Sequence, residues 1–317
     1  MKVFPVLPEN KKKFLSISGF LYAFALWLIA TIVFGYYIWL ASQNHFSQLD
    51  PMLEGTAPRP YVYRILAPGI IRILSVVLGI TRYNSALLVM YVSLLGFTWT
   101  IPAIGKVLIS SKNIRIFSLL SPLGLIPFLI EQRHVYDFPT LFLFVLALYF
   151  LAKNDCIKYL FVFTLATCSK ETSLFLVLFF VLQYRTIERK KFIYLTASQV
   201  GIYAVIRWFT IELFRNNPGS LAEFHLSEHF HAYLQSPLSA CLLFGAIVGI
   251  IWIGIIRIPP EHKFLRNALI SSGGPTLLSY FLFGVPFEIR IFLETYPAIF
   301  LIFSLQVIRS IDAAARQ

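Results

Sequence analysis

Carboxylates are scarce in this chain: 15 Asp and Glu stand among 317 residues, and all charged residues together make up 13% of it. A soluble domain carries roughly twice that charged share, so a water-facing surface around the whole chain is excluded. Cysteine is scarcer still. Cys156, Cys168 and Cys241 lie at wide, unrelated spacings that give neither a disulfide framework nor a C-x-x-C metal site. Also missing are a Walker loop, a Rossmann glycine pattern, a G-x-S-x-G elbow and any polar stretch long enough to fold as a soluble nucleotide-sugar domain. No internal repeat is visible, which weighs against transporters built from two inverted halves.

What the chain does hold is apolar surface, with 58% hydrophobic residues and a mean hydropathy of +0.74. One soluble core cannot absorb that much, so the composition predicts an all-α, multi-pass membrane protein, one transmembrane domain over residues 1–317. Its 31 Phe and 16 Tyr suit core packing and interface belts, and could also stack on sugar rings. The first apolar stretch, Ile17 to Ala41, follows Lys11, Lys12 and Lys13 and exceeds a signal-peptide core in length, which reads as an uncleaved anchor. Hydropathy predicts eight spans, near 15–41, 84–106, 114–130, 138–152, 192–214, 237–257, 267–285 and 287–308. Most reach the roughly 17 to 25 residues a bilayer requires.

Two segments stand outside that list. Residues 61–80 carry Arg64 and Arg72 among Ile, Leu and Val, the pattern of a juxtamembrane helix lying in the interface. Residues 159–182 are apolar but carry Lys170 and Glu171 side by side near their middle, where charge is costly unless paired or wet. A single crossing there would place Arg185, Arg189, Lys190 and Lys191 outside the cell. A short hairpin turning back at Ser169 to Thr172 instead puts every Lys/Arg-rich loop on one side, as the positive-inside rule asks. That side then holds eighteen of the 27 basic residues against five acids, and the formal +12 of the chain becomes a cytoplasmic-face signature rather than a sign of nucleic-acid binding. Both termini fall in the cytoplasm. The remaining charges, among them Asp50, Glu54, Arg64, Glu131, Arg133, Asp137, Lys170, Glu171, Arg207, Glu288, Arg290 and Glu294, fall near the outer leaflet, where a polar cavity would keep them solvated.

Four stretches, in order, resemble one family. They are RPYVYRILAPGIIRIL (Arg59 to Leu74), QRHVYDFPTLFLFVLALYFLAK (Gln132 to Lys153), FTLATCSKETSLFLVLFF (Phe163 to Phe180) and FEIRIFLETYPAIFLI (Phe287 to Ile302). Together they resemble GT-C glycosyltransferases of the protein O-mannosyltransferase and aminoarabinose-transferase type, and the first is similar to the Y-R-[IV]-L-x-P element of a poorly characterised bacterial branch. The resemblance implies a GT-C-like fold in the cell (inner) membrane and an extracytoplasmic active site. It also implies transfer of a sugar from a polyprenyl-phosphate-linked donor to a lipid, glycan or protein acceptor. Membrane lipids are then partners and nucleic acid is not, and no cofactor is expected, with a divalent metal as the alternative.

Such chemistry needs a carboxylate to deprotonate the acceptor hydroxyl, cations for the phosphate leaving group and an apolar groove for the prenyl tail. The resemblance places the base at the first acid after the first span, Asp50, with Glu54 in reserve. Asp50 lies only 13 residues before Tyr63, closer than relatives carry their acid. Asp50-Pro51 also reads as a helix N-cap followed by proline. Arg64, Lys170, Arg207 and Arg290 are the candidates for the donor phosphate, arginine because its planar fork donates in pairs. Arg133, His134, Asp137, Glu171 and Glu288 are candidates for substrate binding. Structural readings stand beside each: Asp137 capping the helix that Pro139 begins, Lys170 pairing with Glu171, Arg133 with Asp137 or Arg290 with Glu294 at helical i and i+4.

HLSEH, His225 to His229, matches the H-x-x-E-H zincin pattern, with His231 beside it. No soluble domain surrounds it, and an interfacial or solvated helix is the expected reading; a metal assisting sugar transfer is the alternative. Two function classes remain open: the glycosyltransferase, and a transporter or flippase for a lipid-linked or anionic solute that binds at the broken 159–182 helix. A non-catalytic relative that scaffolds envelope assembly is the third.

Overall fold

The computed structural model describes residues 16–43, 48–109, 111, 113–130, 133–220 and 224–314. The lysines of the anchor, Lys11 to Lys13, and Glu131 lie outside the described residues. The fold is 81% helical, with no strand among the described residues and one isolated bridge between Arg59 and Gly219. Thirteen α-helices follow in order among the described residues: α1 Ser16–Gln43, α2 Leu49–Glu54, α3 Leu66–Leu78, α4 Arg82–Leu108, α5 Ile114–Ser118, α6 Asp137–Ala152, α7 Cys156–Ser169, α8 Leu174–Tyr184, α9 Arg189–Leu213, α10 Leu226–Gln235, α11 Pro237–Ile251, α12 Lys263–Phe283 and α13 Tyr296–Ala314.

Among the described residues four stretches are long and apolar enough to cross a membrane: Gly19–Leu40, Arg82–Leu108, Pro237–Ile256 and Tyr296–Ala314. The other four expected spans fall outside that set. Residues 114–130 do not form one helix; α5 stops at Ser118, and Pro122 and Pro127 bracket and interrupt the 3-10 stretch Leu123–Leu129. Helix α6 has 16 residues, about 24 Å at 1.5 Å each. Helix α9 covers nearly all of the expected 192–214 span with Arg207 and Glu212 inside it, and α12 covers most of 267–285 with Pro275 inside it. The last expected span begins late, because Phe287 adopts a positive φ of 65° and residues 289–292 form a 3-10 turn before α13.

The core runs through α4, α6, α7, α8, α12 and α13, with α1 packed against it. Helices α4 and α6 approach closely because Gly96 has no side chain; a Cβ there would lie 2.7 Å from the Phe142 ring. Phe34 and Tyr37 of α1 pack on Phe138, Tyr37 edge-on at 5.0 Å. The 159–182 stretch does turn back: Tyr159 near the start of α7 stacks on Phe180 of α8, and its hydroxyl donates to Gln199 at 2.6 Å. Helix α3 has 13 residues, with Ala67, Pro68 and Ile71 buried and Ile73, Val76 and Val77 exposed. At about 20 Å it is too short for a bilayer core of about 30 Å.

The bundle has two chemically different ends. At one, Asn267 meets Gln183 at 2.8 Å, the Tyr184 hydroxyl donates to the Leu151 carbonyl, and Gln306 reaches the Arg257 carbonyl at 3.3 Å. These contacts gather the segments that carry Lys153, Lys158, Arg185, Arg189, Lys190, Lys191, Arg257, Lys263, Arg266 and Arg309. At the other end, Arg59 donates to Gly219 and Asn217 bridges the Gly55 and Ala57 carbonyls at 2.8 and 2.9 Å. The acids and arginines of the candidate site lie there.

Candidate functional site

The site is built on the break between α7 and α8. Helix α7 ends at Ser169, whose hydroxyl meets Thr140 of α6 at 2.8 Å. Lys170 leaves helical geometry at φ −160° and ψ 149°, and Glu171–Ser173 form a single 3-10 turn into α8. Because the backbone is extended at Lys170, the two neighbouring charges point to different partners. Glu171 receives Arg64 at 2.6 Å, while Lys170 donates to Glu294 at 2.6 Å. The Thr172 hydroxyl donates to the same Glu294 oxygen at 3.1 Å.

A second ion-pair group adjoins the first. Arg290, on the 3-10 turn before α13, donates to Asp137 at 2.9 Å and, with a short contact, to Glu288. The other Asp137 oxygen accepts the His134 backbone N–H at 3.0 Å. Aromatic rings wall the group. His134 lies stacked between Tyr61 and Tyr136, at 5.5 and 4.9 Å. The Arg64 guanidinium sits 4.3 Å from the Tyr136 ring centre, and that of Arg207 lies 5.3 Å from Tyr63. Such faces stabilise a cation by about 0.5–2 kcal/mol, more as water is excluded.

Arg64, Lys170, Asp137, Glu288, Arg290 and Glu294 are all buried, so each charge depends on its partner. Removing one member of a buried pair strands the other, at about 3–5 kcal/mol. Glu171 lies in the turn, outside every candidate span. Burial opposes its ionisation, but Arg64 and then Arg207 and Lys170 outweigh that and hold its carboxyl at about 2. Several buried polar atoms here have no hydrogen-bond partner among the described residues: the Tyr63 and Tyr136 hydroxyls, Ser173 Oγ, Glu294 Oε2, Arg290 Nε and Arg207 Nη1. They give the centre donors and acceptors beyond those its own ion pairs consume.

Of the residues singled out in the sequence, Arg64, Asp137, Lys170, Glu171, Glu288 and Arg290 meet here. His134 joins through the ring stack, and Arg207 through Tyr63 and its field at Glu171. Arg133 donates to the Ile130 carbonyl at 3.2 Å. Asp50 and Glu54 stand apart on α2. Asp50 is exposed and takes no hydrogen bond or ion pair among the described residues, and Glu54 pairs with Arg82 at 3.1 Å on the surface.

Asp50 is inside the first turn of α2, whose N-cap is Gln48 in a left-handed conformation. Asp137 opens α6 but spends its oxygens on Arg290 and His134, and Arg133 precedes the helix, so helical i, i+4 spacing does not apply to that pair. Lys170 and Glu171 do not pair with each other, and Arg290 and Glu294 do not pair because residues 289–292 form a 3-10 turn rather than the α-helix such spacing needs. Glu294, Thr172, Tyr61, Tyr63 and Tyr136 belong to the site and were not among the candidates assigned a role. Only Glu294 carried a sequence signal, as a charge in an apolar stretch.

The histidines of the zincin-like segment take local partners. Both ring nitrogens of His229 are committed: Nε2 donates to the Tyr280 and Gly284 carbonyls at 2.9 and 3.0 Å, and Nδ1 meets the Tyr233 hydroxyl at 2.8 Å. His225 pairs with Glu228 at 2.9 Å, and His231 turns to the Ser227 carbonyl. No cluster of three metal-ligating side chains occurs among the described residues. No family model, no curated protein and no solved structure matches this chain.

Proposed function

We propose that this protein is a membrane glycosyltransferase, moving a sugar from a polyprenyl-phosphate-linked donor to an acceptor hydroxyl outside the cytoplasm. The observation that carries this reading is the meeting of Arg64, Lys170 and Arg290 with four carboxylates at one end of an apolar bundle, in ion pairs whose members lie up to 153 residues apart. The basic loops sit at the opposite end, which the positive-inside rule assigns to the cytoplasm. In the proposed reaction a carboxylate takes the proton of the acceptor hydroxyl, the oxygen attacks the anomeric carbon, and the bond to the phosphate oxygen breaks. The departing lipid phosphate gains charge as that happens. Arg64, Lys170, Arg207 and Arg290 supply N–H donors for it, in competition with the carboxylates they now hold. Asp50 is the candidate base, an exposed carboxylate uncommitted to any described partner, with Glu54 behind it; Arg133, His134, Asp137, Glu171 and Glu288 frame the substrates.

The test is transfer from a radiolabelled polyprenyl-phosphate sugar by purified protein, together with mass spectrometry of envelope lipids and glycans with and without the gene product. Asp50→Asn should abolish transfer. Intact transfer in both Asp50→Asn and Glu54→Gln sinks the base assignment, and no transfer from any such donor sinks the reading. One observation favours a transporter as second reading: the break between α7 and α8 carries a buried pair, Lys170 with Glu294, that an anionic solute could exchange into. Uptake into liposomes by purified protein, with no sugar transferred, would establish it instead.

A further inference from the structure

Helix α10 divides its surface three ways. His229 and Tyr233 face inward; His229 binds the end of α12, and Tyr233 packs on Phe244 and Phe287 at 5.5 and 5.4 Å. Next to that buried strip runs an apolar one that touches no core: Leu226, Phe230 and Leu234, at i, i+4 and i+8, are 45%, 64% and 81% exposed. Glu228, His231 and Gln235 take the far side. This is a helix with bundle on one flank, an uncovered apolar flank beside it and water-compatible groups beyond.

The geometry points to the outer leaflet of the bilayer as what covers that flank. Ten residues make α10 about 15 Å long, too short to cross. The apolar strip continues into α11 through Leu238 and Leu242, 73% and 67% exposed. That helix belongs to a stretch long and apolar enough to span a membrane, of which only 11% is buried in the protein. Both therefore meet the same medium. The chain bends between them: Tyr233 touches Phe244, eleven residues on, whereas a straight helix would separate them by about 16 Å. Ser236, at φ −131° and ψ 65°, makes the bend. Helix α10 thus lies against the bundle at the end where α11 enters, its apolar strip in the hydrocarbon boundary and Glu228 and His231 toward the headgroups and water. Because His229 and Tyr233 join α10 to Tyr280 and Phe287, this surface contact also fixes the start of the segment that carries Glu288 and Arg290.

The experiment places single cysteines in a protein whose Cys156, Cys168 and Cys241 are replaced by alanine: Leu226→Cys, Phe230→Cys, Leu234→Cys, Glu228→Cys and His231→Cys, each labelled with bimane in phosphatidylcholine vesicles. Lipids brominated near the top of the acyl chain should quench the labels at 226, 230 and 234 at least about twofold more than those at 228 and 231. A water-soluble maleimide should react in the opposite order, which reads the same question without the label. Equal quenching at all five positions overturns the inference. So does absent quenching accompanied by energy transfer between labelled copies, which would put a second copy of the chain on this face.

Discussion

Replacing Lys170 by methionine tests whether the charged centre is held by pairing rather than by solvation. Lys170 reaches Glu294 at 2.6 Å with 10% of its side chain exposed and 2% of that of Glu294. Lys170→Met leaves a carboxylate with the Thr172 hydroxyl alone, and Glu294→Met leaves a buried ammonium. Each single change should therefore cost about 3–5 kcal/mol. The double variant removes both charges together and leaves neither stranded. It should cost no more than either single change, so the coupling measured in the cycle is itself about 3 kcal/mol or more. The assay is equilibrium unfolding of the purified protein in mixed micelles, followed by far-ultraviolet circular dichroism as sodium dodecyl sulfate is raised. If the two single changes add, with coupling under about 0.5 kcal/mol, both charges are wet and the buried centre described above is wrong.

Arg290→Lys keeps the charge but cannot serve Asp137 and Glu288 with one planar fork; it should cost about 1.5–3 kcal/mol by the same assay, and Arg290→Ala more. Glu171 is depressed in the folded state, so Arg64–Glu171 contributes stability above the unfolded carboxyl value near 4.5 and loses it as pH falls toward about 2. The stability gap between the protein and Glu171→Gln should be constant from pH 5 to about 8 and shrink below 4.5; a gap that already shrinks between 7 and 5 contradicts it. Gly219→Ala places a Cβ 2.6 Å from the Arg59 carbonyl oxygen at φ 89°. It should loosen that clasp by about 1–3 kcal/mol, seen as faster tryptic cleavage after Arg215, and unchanged cleavage would mean the loop is not pinned there.

The break in the 159–182 segment was legible because an apolar run interrupted by two charges cannot stay one membrane helix, and the loop charges required the chain to return. The gathering of Arg64, Lys170, Glu171, Asp137 and Arg290 at one end was legible for the same reason. The partners were not. Periodicity speaks only to neighbours three and four residues apart, and it paired Arg290 with Glu294. A positive φ at Phe287 and the 3-10 turn after it removed the helix that pairing assumed, leaving Glu294 to a lysine 124 residues away. Residues 114–130 were read as one span on hydropathy although Pro122 and Pro127 stood inside them. Local backbone chemistry outranked apolar content there. The Tyr61–His134–Tyr136 stack left no periodic trace at all.

The spacing of these partners along the chain also sets an order of events during synthesis. Arg64 is made 107 residues before Glu171, Lys170 precedes Glu294 by 124, and Asp137 precedes Arg290 by 153. At about 5–20 residues per second, each early partner waits on the order of ten seconds for its counter-ion. Until then it has only water or headgroups to neutralise it. The segment from Glu288 to Glu294 therefore arrives as the closing piece, because it brings the counter-ions of both Asp137 and Lys170.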